Sequence, residues 1–243
     1  MIKMRSLLPL VFALVLTSPC FGQIAFDAVA NSSGVDETEV SSLTFPLTVA
    51  AGNNRLVYVG VSIKDFPGLT VSSVTYKGVA LTNIRSDGSS YHTSIWYLVT
   101  PDTGTNDVVV NLSGTAEAVH AGAMSLSGVD PTNPVDAHNG AAGSDVTPTV
   151  DVTTVADNAW VLDTVVWSNA NVFAVVGGGQ TERWNGHQYN ASGAGSTEGP
   201  KTPAGAVTMS WTLDPAMDWS ISAASFKPYA AGGATKRRVV ISD

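Results

Sequence analysis

Short runs of alternating apolar and polar residues recur along the chain, and turn residues bound each run. Val, Thr, Ile, Tyr and Trp are common in these runs, and they suit the pleated, half-buried surface of a strand. A period of two residues is typical of β-structure. The pattern predicts eight strands, at Arg55–Ser62, Thr70–Tyr76, Thr93–Val99, Asn106–Leu112, Ala118–Leu126, Trp160–Trp167, Val207–Leu213 and Trp219–Phe226.

The segments between these runs carry turn residues, because Gly and Asn adopt positive φ and Asp and Ser bond their own backbone. Predicted turns include Lys77-Gly78, Ser86-Asp87-Gly88, Ser113-Gly114 and Asp157-Asn158. No window carries a capped apolar stripe of helical period. We therefore predict an all-β chain that forms a two-sheet antiparallel β-sandwich of jelly-roll type.

The first 22 residues have the pattern of a secretory signal peptide. Lys3 and Arg5 precede an apolar run from Leu7 to Leu16, and Gly22 precedes the expected cleavage point. That run is too short to span a bilayer, which needs roughly 20 residues. We expect a secreted protein, extracellular or periplasmic, with no transmembrane anchor in the mature chain.

The rest of the chain divides into a sandwich and a tail. Residues 26–128 and 129–228 could form two small sandwiches, but we favour a single β-sandwich domain over residues 23–229. The segment 230–243 contains Lys236, Arg237 and Arg238 and is expected to be a flexible basic tail. An added strand or an address signal stays open for this tail.

Charge and cysteine content exclude several classes of function. The net charge is −8 and only 13% of residues are charged, whereas a nucleic-acid binder usually has a basic face. Cys20 is the only cysteine and lies in the predicted signal. The mature chain then has no disulfide, no thiolate metal site and no cysteine nucleophile, a pattern that indicates a bacterial extracellular protein.

The sequence does not select a catalytic motif. The four histidines have no metal-ligand spacing, and neither HExxH nor G-x-S-x-G is present. A glycosidase needs two carboxylates at about 5 to 10 Å, and Asp163 and Glu182 follow strand-like residues. Nothing in their spacing singles them out, so the enzyme question stays open and leans towards a non-enzyme.

One loop carries oxygen ligands suited to a hard cation. Asp130, Asn133 and Asp136 lie in the segment DPTNPVD, and Ca²⁺ prefers carboxylate and carbonyl oxygens. A structural Ca²⁺ is one interpretation. The other, which we favour, is a turn held by the Asp130 side chain and two prolines.

Aromatic side chains in a polar segment form the candidate ligand site. Trp184, His187 and Tyr189 lie in RWNGHQYNAS, which is expected to be a loop. Sugar rings stack on flat aromatic faces, while amides pair with their hydroxyls. The alternative is that Trp184 caps one end of the core. Trp211 and Trp219 fall on predicted strands and are expected in the core.

Eight segments in chain order share a pattern of strands and turns: Asn54–Ser62, Val71–Thr82, Ser94–Gly114, Ser125–Ala137, Gln180–Asn185, Gly193–Pro200, Val207–Leu213 and Trp219–Pro228. Together they resemble a β-sandwich domain that is widespread in secreted and cell-surface bacterial proteins, often in multidomain adhesin-like chains. The resemblance implies one domain over residues 26–228 with a surface, adhesive or structural role, and it brings no catalytic motif or ligand.

Three functional hypotheses follow. We favour a non-catalytic secreted β-sandwich with a surface, adhesive or glycan-binding role. A carbohydrate-active lyase or hydrolase on a jelly-roll scaffold is the first alternative, since fold does not imply function. A self-assembling extracellular subunit that pairs through an exposed sheet edge is the second.

Overall fold

The computed structural model describes residues 22–33, 38–64, 68–168, 172–188 and 191–230. Residues 1–21 of the predicted signal, Tyr189, and the tail from residue 231 lie outside the described residues. The first half of the chain contains β1 (Ala25–Asn31), β2 (Thr38–Val49), β3 (Leu56–Lys64), β4 (Val71–Tyr76), β5 (Val79–Ala80), β6 (Thr82–Gly88), β7 (Tyr91–Val99) and β8 (Gly104–Ser127). The second half contains β9 (Val135–Asp145), β10 (Thr149–Thr153), β11 (Ala159–Trp167), β12 (Val175–Val176), β13 (Thr181–Gln188), β14 (Ala191–Lys201), β15 (Ala206–Thr212) and β16 (Met217–Phe226).

The first half of the chain forms an eight-stranded sheet organised by β8. Its order is β5-β4-β8-β3-β7-β6, and β1 and β2 also pair with β8. The beginning of β8 pairs with β2 and β4, and its end pairs with β1 and β3. Val108 and Val110 from the first stretch and Val119 and Ala121 from the second are buried in the same core. The sheet therefore surrounds an apolar core of its own.

The second half forms two sheets around a second core. The five-stranded sheet has the order β13-β14-β11-β16-β9, and the three-stranded sheet has the order β10-β15-β12. Val161, Val165 and Ile221 of the larger sheet pack with Met209 and Trp211 of the smaller one. Trp211 and Trp219, expected in the core, are 1% and 6% exposed, which confirms that prediction.

A third core joins the two halves of the chain. It contains Tyr58 and Met124 of the eight-stranded sheet and Leu162 and Phe226 of the five-stranded sheet. The Tyr58 and Phe226 rings meet edge to face, with centroids 6.2 Å apart. The cleft described below lies between the same two sheets.

The interface is close enough to require glycine at residue 60. A Cβ on Gly60 would lie 1.8 Å from Thr164 Oγ1, well inside van der Waals contact. The Thr164 hydroxyl in turn lies 2.9 Å from the Tyr58 hydroxyl. The backbone of one sheet therefore packs directly against side chains of the other. Separating the two halves would expose Gly60, Thr164 and Tyr58 to solvent.

The structure confirms the predicted all-β antiparallel sandwich, and no helix occurs among the described residues. It also adds a third sheet, because β15 pairs with the short strands β10 and β12. No helix in the described part of the chain is long and apolar enough to cross a membrane.

Three local predictions were wrong. Ser113-Gly114 lies inside β8 rather than in a turn: β8 pairs with β2 on both sides of it, at Asn111 and Ala116, and the register shifts between these two residues. Asp87 and Gly88 belong to β6, and the turn follows at Ser89-Ser90. The segment around Trp184, expected as a loop, is strand β13, which pairs with β14.

Candidate functional site

A polar cleft opens where the two halves of the chain meet. Its volume is about 210 Å³. One side is the β6–β7 hairpin of the eight-stranded sheet, and the other is formed by β9 and β16 of the five-stranded sheet. The lining residues are Ser89, Ser90, Tyr91, Ala142, Gly143, Asp218 and Trp219.

Strand alternation directs Asp218 towards this cleft. Side chains on one face of a strand repeat every second residue. Ser220 and Ser222 of β16 donate hydrogen bonds to the Asp87 backbone carbonyl (3.3 Å) and to Asp87 Oδ2 (2.6 Å). Asp218 is two residues before Ser220, so it lies on the same face, at the exposed end of the strand.

Asp87 lies two residues before the cleft-lining Ser89 and is held from several sides. Arg85 donates to both carboxylate oxygens, at 2.6 and 2.5 Å. Ser222 donates to Oδ2 and lies 2.6 Å from Thr93 Oγ1. Gly140 allows β9 to pass over this group, since a Cβ there would be 2.1 Å from Asp87 Oδ2. A charge-assisted network of this kind keeps the two walls in a fixed relation.

His138 of β9 extends the network across the interface. Arg85 Nη1 lies 3.1 Å from His138 Nδ1. Because a guanidinium can only donate, Nδ1 is the acceptor, and the ring proton of a neutral His138 is then on Nε2. The Arg85 side chain thus joins β6 to β9 as well as neutralising Asp87.

Trp219 lines the cleft, but little of its ring is exposed to a ligand. It is 6% exposed, and a Cβ on Gly143 would lie 2.7 Å from its Cζ2. Its Nε1 donates to Asp145 Oδ1 at 3.1 Å. The backbone N–H of Thr147 also donates to that oxygen and, as the larger cause, lowers the pKa of Asp145. Asp145 is therefore a carboxylate at neutral pH and an anchor for the indole.

Trp184 is buried between facing strands. Its side chain is 3% exposed, and its indole fills the space over Gly122 and Gly195, where an added Cβ would lie 2.2 and 2.4 Å away. The His120 ring lies against it, with centroids 5.4 Å apart. This burial favours the alternative that Trp184 belongs to the core, and its role in ligand binding stays a prediction.

The two other members of the predicted aromatic site have a different status. His187 pairs with Ser192 through the backbone of β13, and its side chain lies outside the described residues. Tyr189 lies outside them entirely. Their role in ligand binding stays a prediction.

The Asp130 loop has the geometry of an Asx turn. Asp130 Oδ1 accepts from the backbone N–H groups of Thr132 (2.8 Å) and Asn133 (3.1 Å). Asp136 lies at the start of β9, and its carboxylate accepts from the N–H groups of Val155 and Ala156. The described residues contain no group of three or more His, Cys, Asp or Glu that could hold a metal ion. Asp130 and Asp136 instead bind separate backbone segments.

Asp163 and Glu182, the candidate catalytic pair, lie in one row across the five-stranded sheet. Asp163 Oδ1 accepts from the Ser196 N–H (2.7 Å) and hydroxyl (2.8 Å), and Ser196 is opposite Glu182. With a spacing of about 4.8 Å between strands, their backbones are about 10 Å apart. Glu182 is exposed, whereas Asp163 is completely buried.

Burial dominates the chemistry of Asp163. Desolvation raises its pKa from 3.8 to about 6, against the opposing effect of donors from Trp211 and Ser196. Trp211 Nε1 donates to Oδ2 at 2.7 Å and covers the carboxyl from the three-stranded sheet. Gln180 donates to Ser196 and accepts from the Ser210 N–H. The cluster ties the two sheets of the second half together.

Two further cavities flank Lys77 at the distant end of the first half. Their volumes are about 150 and 390 Å³. Lys77 lies in the β4–β5 turn and pairs with Asp102 at 2.8 Å, with half or more of each side chain exposed. An exposed ion pair of this kind contributes little to stability. The two cavities are the alternative location for ligand binding that a test must distinguish from the inter-sheet cleft.

The fold and the cleft together define an antiparallel β-sandwich protein with a polar cleft between its sheets. No protein-family model and no curated protein matches the chain. Among solved structures, the crystal structure of the STIV MCP aligns over 89% of this chain and 100% of its own length, with 8% identity and a TM-score of 0.23. A similarity this weak supports no conclusion about function.

Proposed function

We propose that the protein is a non-catalytic, secreted β-sandwich with a surface or adhesive role, and that it acts by binding a glycan. The observation that supports this most directly is the inter-sheet cleft. It is open, and hydroxyl groups and one carboxylate line it. The Asp87 network fixes its walls before a ligand arrives, and preorganised sites avoid part of the cost of ordering on binding.

The carbohydrate-active enzyme alternative has weaker support. Its acid and base would be Asp163 and Glu182, but Asp163 is buried beneath Trp211 and bonded to Ser196. Neither residue lines any of the three cavities described above. A general acid must reach the atom that it protonates, and substrate has no described route to Asp163.

The self-assembly alternative is favoured by one specific feature. Strand β9 ends the five-stranded sheet, and among the described residues it pairs only with β16. It runs for 11 residues, and a free edge of this length can accept a strand from a second copy. Concentration-dependent assembly that is lost on deletion of residues 230–243 would favour this alternative.

The proposal is tested by presenting residues 23–243 to a broad panel of glycans, followed by analysis of the recovered sugar. The expected result is reproducible binding with the glycan intact. Release of shortened or unsaturated products would favour the enzyme alternative. Binding to no glycan would contradict the proposal.

A further inference from the structure

We infer that the inter-sheet cleft binds one neutral, hydroxyl-rich ring, a single sugar unit of a larger glycan, between Tyr91 and Asp218. This inference rests on the proposed glycan-binding function and adds the site and the ligand class. It places recognition on the β6–β7 hairpin and β16, away from Trp184.

The polar groups of the cleft match the hydroxyls of a sugar. Ser89, Ser90 and Tyr91 each carry a hydroxyl that can donate and accept, and Asp218 carries an exposed carboxylate that only accepts. Vicinal sugar hydroxyls need both kinds of partner. A carboxylate accepting from ligand hydroxyls forms the stronger, charge-assisted kind of hydrogen bond.

The charge of the site argues against an anionic ligand. None of the cleft-lining residues is Lys, Arg or His, and the nearest cation in the network, Arg85, is already paired with Asp87. The protein as a whole carries a net charge of −8. Phosphate, sulfate or a uronate would meet Asp218 with no counter-charge, so the charge of the cleft disfavours an anionic ring. A neutral ring pairs through its hydroxyls alone, and a cationic amino sugar is the competitor that the test below includes.

The size of the cleft limits the ligand to one ring. Its volume is about 210 Å³, and the floor on the β9 side is Ala142 and Gly143. Ala142 is opposite Ser220 in the sheet, so its methyl group lies on the face that fronts the hairpin. A small apolar floor beside hydroxyl-bearing walls suits the CH face of a pyranose.

The hairpin that carries three of the four polar side chains is fixed in place. Gly88 has φ of 88°, and an added Cβ would lie 2.2 Å from the Tyr91 carbonyl oxygen. The Ser220 hydroxyl bonds to the Asp87 carbonyl one residue earlier. The positions of Ser89, Ser90 and Tyr91 relative to Asp218 are therefore set by the fold rather than by the ligand.

The test compares residues 23–243 with two cleft variants, Asp218→Asn and Tyr91→Ala, and with Asp214→Asn as matched control. Asp214 is also an exposed acid, lies between β15 and β16, and does not line the cleft. Titration calorimetry with the tightest glycan from the panel measures affinity, and a thermal melt of each variant checks the fold. Each cleft variant should bind about tenfold more weakly, and the control should match the parent.

Each outcome has a defined meaning. Loss of affinity in both cleft variants, with melting temperatures unchanged, supports the inference. A parent that binds glycan while both cleft variants bind equally well overturns the site and leaves the proposed function standing. A preference for glucosamine or galacturonic acid over neutral sugars overturns the ligand class. A parent that binds no glycan overturns the proposed function and this inference with it.

Discussion

The buried carboxyl of Asp163 makes the stability of the fold depend on pH in a defined window. Its pKa in the folded protein is about 6, against 3.8 for an ordinary aspartate, because burial disfavours the charged form. Between these two values the folded protein keeps a proton that the unfolded chain has released. The stabilisation from that proton is complete below pH 3.8 and is lost as the pH rises through about 6.

The size of the effect follows from the pKa difference. Each pKa unit corresponds to 1.36 kcal/mol, so a difference of roughly two units gives about 3 kcal/mol in total, of which about 2.4 kcal/mol is lost between pH 4 and pH 7. The free energy of unfolding of a typical protein is only about 5 to 15 kcal/mol, so this change is a large fraction of it. The protein should therefore be more stable at pH 4 to 5 than at pH 7 as far as Asp163 is concerned.

The variant Asp163→Asn isolates this contribution. The asparagine amide keeps the size of the side chain but does not titrate. Its NH₂ group must face a donor, either Trp211 Nε1 or the Ser196 N–H, which costs about 1 to 3 kcal/mol. We expect the variant to be about 1 to 3 kcal/mol less stable than the parent at pH 4. At pH 7 it should be as stable as the parent or more stable, because only the parent loses the contribution of the buried proton.

Urea unfolding at pH 4, 5, 6 and 7 measures this difference, with Asp214→Asn as the control for an exposed acid. The control should follow the parent at each pH. Parallel stability curves for the parent and Asp163→Asn across the whole range would refute the argument, because they would mean that the buried carboxyl has the same pKa in both states.

Three further predictions concern the core, the interface and the Asp130 loop. Trp184→Ala should lower the free energy of unfolding by about 3 to 5 kcal/mol and leave glycan affinity unchanged; an affinity loss in a folded variant would return Trp184 to the ligand site. Gly60→Ala should destabilise the fold in urea titrations by more than about 1 kcal/mol. Adding Thr164→Ala to the same chain should recover part of that loss. If the effects of the two substitutions simply add, the close contact between residues 60 and 164 is contradicted. A chelator should leave the melting temperature unchanged, whereas a lowering would indicate a bound Ca²⁺.

Strands with alternating or continuous apolar residues were predictable, and those with small polar residues were not. β3, β11 and β16 are nearly all buried, and their composition alone indicates strands. β14, with the sequence ASGAGSTEGPK, lacks that signal. Its glycines and serines are small because Trp184, Ser62 and Asp163 pack against them from other strands. Two of these residues, Ser62 and Asp163, are far away in sequence.

The cleft was beyond sequence reasoning for the same reason. Its residues come from three separate segments, at 89–91, 142–143 and 218–219, and only the pairing of β9 with β16 and the contact between the sheets bring them together. The turn was predicted at Ser86-Asp87-Gly88, whereas it follows β6 at Ser89-Ser90, so Asp87 was interpreted as a turn residue. Aromatic residues in a polar segment favoured Trp184, although glycines on facing strands create a buried space for its ring.

The most direct test of the central claim is a chemical-shift map of isotopically labelled residues 23–243, titrated with the tightest neutral glycan from the panel. The account predicts that the backbone signals of residues 89–91, 142–143 and 218–219 shift together with a single affinity. Shifts confined to the region around Lys77, or to β13, would contradict the account, because they would place the ligand away from the inter-sheet cleft.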